Sequence, residues 1–155
     1  MSKVVIIMGS KADLEWAKKI ENALTQFEIN SEMYVASAHK VPLVCYEIIK
    51  EQEKNNVVFI TIAGMSNALS GFSDAQTHCP VIACPPVGAS FGGNDVFSSL
   101  RMPSGVAPMV VLDPKNAALA AAKILSMFNQ NIRNKVIEFQ NAQRKKLIED
   151  NASLH

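Results

Sequence analysis

Chemistry in this 155-residue chain is concentrated in a few short segments. In Gly9-Ser10-Lys11-Ala12-Asp13, the glycine lets backbone approach a ligand closely and the serine can cap the helix that follows. That helix N-terminus supplies free N–H groups and partial positive charge suited to a phosphate, with Lys11 beside it. Asp13 has two readings: an acid in a helix's first turn complements the dipole, and next to a phosphate the same carboxylate accepts from ribose hydroxyls. Ser37-Ala38-His39-Lys40 sets a proton-carrying imidazole next to small residues and an ammonium able to neutralise phosphate or carboxylate. Ser66 and Asn67, besides capping, offer hydroxyl and amide donors to a carboxylate forming in a transition state, and Ser70 follows one turn later. Arg101 is either an anion ligand or half of a buried intersubunit pair. His78, at a strand start, and the terminal His155 are not site candidates.

These groups need a scaffold, and the apolar pattern supplies one. Continuous apolar runs at Val4 to Met8 and Val57 to Ala63 predict strands buried on both faces, with further strands at Met33 to Ala36, Pro80 to Cys84 and Pro108 to Leu112. Between them, three-and-four spacing predicts helices over Ala12 to Phe27, Val41 to Lys54 (Val44, Ile48 and Ile49 inward) and from an N-cap at Ser66 to Gln76. A short helix near Asp95 to Leu100, one from Pro114 to Met127, and one from Ile132 to Ile148 with Ile132, Val136, Phe139 and Leu147 on one stripe complete the set. Strand and helix alternate with short connections, which predicts an α/β three-layer sandwich around a parallel sheet of about five strands, with a C-terminal helical extension. In such sheets ligands lie beyond the carboxyl ends of the strands, where Gly9, Ser37, Gly64 and Pro85-Pro86 begin their loops. The chain reads as one domain, 1–155, with a core of about 3–128 and a helix of about 130–150 for oligomer packing.

With 48% apolar and 19% charged residues, the composition is that of an ordinary globular domain. The formal charge of +1 provides no field for nucleic acid or an anionic membrane. No apolar run approaches the roughly 18 residues of a membrane span, and Met1-Ser2-Lys3 runs straight into a strand, so a cytoplasmic location is expected. The three cysteines, Cys45, Cys79 and Cys84, lack metal-ligand spacing and read as small buried hydrophobes; no metal is expected. Absence of GxxxxGK[ST] and GxGxxG disfavours nucleoside triphosphates and dinucleotides. From Ala63 to Gly105 the chain carries six of its seven glycines and only three charges, Asp74, Asp95 and Arg101. A stretch so uncharged is expected to be covered by ligand and by neighbouring subunits.

Five segments together resemble the PurE family of purine biosynthesis: Gly9-Ser10-Lys11-Ala12-Asp13, Ser37-Ala38-His39-Lys40, Ile62 to Gly71, Cys84-Pro85-Pro86 and Ser98 to Gly105. The resemblance implies a flavodoxin-like fold, a site for 5-aminoimidazole ribonucleotide (AIR), and a homo-oligomer, an octamer favoured over a tetramer. The family's class I, the N5-carboxyaminoimidazole ribonucleotide mutase, typically has a longer loop after strand three ending His-Leu-Pro-Gly. Here the loop is shorter and ends Ala68-Leu69-Ser70-Gly71, Lys40 stands where class I usually has arginine, and Arg101 where it usually has glutamine. All three departures resemble class II, the AIR carboxylase, here expected as the stand-alone form. By position, Gly9, Ser10 and Asp13 then hold the phosphoribosyl part, Ser37 and Lys40 add phosphate or carboxylate contacts, His39 transfers the proton, and the backbone from Ala63 and Gly64 to Asn67 receives CO2. The product is 4-carboxy-AIR (CAIR), with no cofactor. The alternatives are the class I mutase and, outside enzymes, a flavodoxin-like binding module. The latter fits less well, because no acceptor acid follows strand three and only Phe91 offers a ring for flavin stacking.

Overall fold

The computed structural model describes residues 2–88 and 91–154; His155 lies outside them. Five strands, β1 (Lys3–Met8), β2 (Asn30–Val35), β3 (Val57–Ile62), β4 (Val81–Ala83) and β5 (Met109–Val110), form one parallel sheet in the order β2-β1-β3-β4-β5. The side-chain period of two sorts each central strand between two cores. Val4, Ile6 and Met8 join Val58, Ile60 and Ile62 under α1 (Leu14–Thr25) and α5 (Pro114–Leu125). Val5, Ile7, Val57 and Phe59 face α2 (Pro42–Gln52) and α3 (Ala68–Gln76) on the other side. Ala117, Ala118, Ala121 and Ala122 are wholly buried, so their small side chains bring α5 close onto the sheet. A short α4 (Phe97–Leu100) precedes β5, and α6 (Gln130–Ala152) closes the described chain.

Register fixes where the loops emerge. Met8 lies level with both Val35 and Ile62, so β1, β2 and β3 end together. Gly9 N–H then donates to Ile62 O at 2.9 Å and Ala36 N–H to Met8 O at 2.8 Å, holding the loop starts side by side. The chain leaves β1 for one face and β3 for the other, which opens a crevice between them at the topological switch point.

Several sequence expectations shift. Strand β2 starts at Asn30 rather than Met33, because an edge strand tolerates the polar Asn30-Ser31-Glu32, and Lys3 Nζ reaches Glu32 Oε1 at 2.6 Å from the neighbouring strand. The first helix begins as a 3-10 turn, Lys11–Asp13, capped by Ser10. The cap of α3 is Asn67, not Ser66: its Oδ1 accepts from Ser70 N–H at 3.1 Å. In α2, Cys45 and Ile49 point inward while Val44 is 46% exposed. Helix α6 outruns the predicted 132–148, and only Ile132 and Val136 are buried on it. Phe139 meets Phe27 edge-on at 5.4 Å, but Leu147, expected on the same stripe, is 69% exposed because the helix has by then left the body.

Candidate active site

The crevice is a cavity of about 520 Å³ at the carboxyl end of the sheet. One wall is the turn after β1, with Gly9, Ser10 and Asp13. Ser10 Oγ accepts from Ala12 N–H at 3.2 Å, which fixes the capping rotamer and leaves the hydroxyl hydrogen for a ligand. A Cβ on Gly9 would find ordinary contacts, Ala63 Cβ and Ile62 O at 3.7 Å, so this glycine is not demanded by packing; its bare backbone widens the wall. Half-burial pushes the Asp13 carboxyl above its ordinary range, partly offset by a hydrogen bond from the Ser10 backbone. Trp16 Nε1 donates to Cys84 O at 3.0 Å and ties the start of α1 to the end of β4.

Ser37 and His39 line the adjoining wall. Ser37 Oγ accepts from Lys40 N–H at 3.3 Å and Ser37 O from Val41 N–H at 2.9 Å, closing a tight turn that presents His39 at the surface of the cleft. The floor is Ala63, Gly64, Met65 and Ser66. A Cβ on Gly64 would approach Pro86 O to 3.2 Å, so glycine permits the β3 and β4 loops to close on each other. Met65 has φ +59°, a left-handed conformation that costs a side-chain-bearing residue on the order of 1–2 kcal/mol. Among the described residues the backbone N–H groups of Gly64, Met65 and Ser66 have no loop or turn acceptor. Successive free N–H groups around a left-handed residue form a concavity that suits an anion.

The structure thus brings eight of the sequence candidates together: Gly9, Ser10, Asp13, Ser37, His39, Ala63, Gly64 and Ser66. The other five do not line the cavity. Asn67 is buried, its Oδ1 committed to the α3 cap and its Nδ2 donating to Ser99 Oγ at 2.9 Å, so its amide holds the loop rather than facing a ligand. Ser70 is buried within α3. Lys11, Lys40 and Arg101 are exposed, and among the described residues none of the three forms an ion pair. Met102, beside Arg101, packs over Gly71 so closely that a Cβ there would meet its sulfur at 2.8 Å.

The fourth wall comes from the loop after β4, which the sequence places at the ligand side through Pro85-Pro86 without giving a binding role to any of its lining residues, Pro86, Val87, Gly88, Phe91 and Asp95. The apolar members carry no reactive group to flag them, whereas Asp95 had a signal, as one of only three charges in 43 residues. Among the described residues no three His, Cys, Asp or Glu side chains converge as a metal site requires, and no helix is long and apolar enough to cross a membrane.

Fold and cleft together define a doubly wound α/β protein with a nucleotide-sized, phosphate-compatible site at its strand ends. Comparison with known proteins narrows this. The family model described as AIR carboxylase matches residues 3–146. A phosphoribosylaminoimidazole carboxylase of Archaeoglobus fulgidus is 58% identical over 145 residues, covering 94% of this chain and 81% of that protein. One of Treponema denticola is 45% identical over 153 residues, covering 97% and 96%. The crystal structure of Treponema denticola PurE superposes with a TM-score of 0.97 at 44% identity, covering 99% of each chain. The chain belongs to the AIR carboxylase family, as its strand-end motifs imply.

Proposed function

We propose that this protein carboxylates AIR at C4 with CO2 to give CAIR in purine biosynthesis, the class II reaction, without ATP or metal. The observation that carries this reading is the single cleft in which the phosphate-compatible turn Gly9–Asp13, His39 and the free N–H groups of Gly64 to Ser66 meet, in a chain whose similar relatives are described as carboxylases. Ser10 holds the phosphate and Asp13 the ribose hydroxyls. Lys40, on a side chain long enough to swing inward from its exposed turn, adds charge to the phosphate or the carboxylate. The aminoimidazole ring is an enamine-like nucleophile: its C4 electrons form the bond to CO2, one C–O π pair moves onto oxygen, and His39 takes the C4 proton to restore the ring. The nascent carboxylate is the charge that the Gly64 to Ser66 amides stabilise, whereas free CO2 is nearly apolar and gains little from them.

The apolar side chains left in the open support a homo-oligomer, which we read as an octamer. Leu43 on α2, Phe97 on α4 and Phe128 before α6 are all exposed in the single chain, a pattern that second copies would cover. His39 has no side-chain partner to orient it among the described residues, which fits a site completed by a neighbouring subunit. We place this activity in the cytoplasm. The deciding assay follows CAIR formation from AIR with and without added CO2, in the absence of ATP. Turnover of the N5-carboxy nucleotide alone would transfer the chain to the mutase class, and a monomer by light scattering at micromolar concentration would remove the oligomer.

A further inference from the structure

Asp95 is the one acidic side chain on the β4 wall of the cleft, and its two oxygens are in different situations. Oδ2 accepts from Gly88 N–H at 2.8 Å, pinning the loop after β4. Oδ1 is buried and has no hydrogen-bond partner among the described residues. A carboxylate oxygen withdrawn from water and left unpaired is unfavourable, and among the described residues Asp95 is the residue with such an atom that also lines the cleft, where a bound ligand can bring the donor. Its position is tightly set. A Cβ on Gly88 would meet Oδ2 at 3.1 Å, and Ser98 Oγ donates to the Asp95 carbonyl at 2.9 Å from behind.

We infer that Asp95 Oδ1 accepts a hydrogen bond from the exocyclic amine of the bound aminoimidazole, which makes Asp95 a specificity-determining residue; the inference rests on the function proposed above. Chemistry selects the group. The phosphate and the new carboxylate of the ligand are acceptors and are repelled by a carboxylate, which leaves the ribose hydroxyls and the amine as donors. Asp13 stands beside Ser10 where the phosphate-bearing sugar lies, so the hydroxyls are met there and the amine falls to Asp95. Placement agrees: His39, from the loop after β2, and Asp95, from the loop after β4, line the same cavity. A charge-assisted hydrogen bond from the amine also raises the electron density it passes to C4, the carbon that attacks CO2.

The test is calorimetric titration of the intact wild type, Asp95→Asn and Ser98→Ala with AIR and with the same nucleotide lacking the amine. In Asp95→Asn the carboxamide oxygen can keep the Gly88 N–H bond, which turns an NH2 donor toward the ligand. The expected result is a loss of about ten- to a hundredfold in affinity for AIR, with the amine-free nucleotide within about threefold of wild type. Ser98→Ala, which loosens the loop without touching Oδ1, weakens both ligands by a common factor. Equal losses for both ligands in Asp95→Asn, or a wild type that does not prefer AIR, overturns the role of Asp95. A wild type that binds neither nucleotide defeats the proposed function and the inference with it.

Discussion

Replacing Asn67 separates a residue that holds the cleft from one that acts in it. Its side chain caps α3 through Ser70 N–H at 3.1 Å and donates to Ser99 Oγ at 2.9 Å, and only 3% of the residue is exposed. In Asn67→Ala the lost cap costs about 1 kcal/mol. The buried Ser99 hydroxyl left without its donor adds about 2 kcal/mol. A total of about 3 kcal/mol in a chain of this size lowers Tm by about 6–12 °C. Asn67→Ser keeps a capping oxygen and recovers about 1 kcal/mol of the loss. Scanning calorimetry at pH 7 reads the stability, and initial rates at 25 °C read the activity, which stays within about tenfold of wild type because no group facing the ligand has changed. A Tm within 2 °C of wild type combined with a rate loss above about a hundredfold would refute this reasoning and return Asn67 to the transition state.

Three further outcomes follow from the site and the core. His39→Asn lowers kcat by about 10²–10⁴-fold while AIR affinity stays within about tenfold, measured by steady-state rates and titration; near-normal turnover removes the imidazole from the mechanism. The carboxyl of Asp13 sits above its ordinary 3.8 because burial disfavours its charge. The folded state therefore holds that proton more tightly than the unfolded chain, and stability falls as pH rises from below the unfolded value through the folded one, then levels off. Asp13→Asn accordingly raises Tm at pH 7, an advantage that fades toward pH 3, and weakens nucleotide binding; a Tm gain that persists at pH 3 contradicts the assignment. Burial pushes the Cys84 thiol up to about 12 and also raises Cys45, so neither reacts with a disulfide reagent at pH 8 until the protein unfolds, whereas half-buried Cys79 labels first. Rapid labelling of all three thiols in the native protein goes against this.

The parts of the fold legible in the sequence are those where one physical demand acts alone. Val4 to Met8 and Val57 to Ile62 are apolar without interruption because both sheet faces bury them, and no amphipathic helix satisfies that pattern as well. Boundaries blur where demands compete. Ser66 and Asn67 are both good caps, and the choice is made from 31 and 32 residues away: Ser98 Oγ accepts from Asn67 N–H at 3.0 Å and Ser99 from its amide. Leu147 and Val44 fit an inward stripe by spacing, yet both are exposed in the single chain, because spacing identifies an apolar face without saying whether the same chain or another copy covers it.

The site divides along the same line. Gly9, Ser10, Asp13 and His39 were legible because a strand end followed by capping and titratable residues restricts them to the ligand side of the sheet. A binding role for Pro86, Val87 and Phe91 was not, although the sequence puts Pro86 and Phe91 in a strand-end loop, since an apolar wall carries no chemical label and its place depends on how the β4 loop folds back over Gly64. Charge alone also misleads. Lys40 and Arg101 are as conspicuous in sequence as Asp95, yet both stand outside the cavity while Asp95 lines it with one oxygen unpaired among the described residues. An exposed cation on a long side chain is stable with water as its only partner, so its position in one chain does not reveal what it serves. A buried carboxylate oxygen has no such freedom, and for that reason the orphaned acceptor on Asp95 is a stronger pointer to the ligand than either cation.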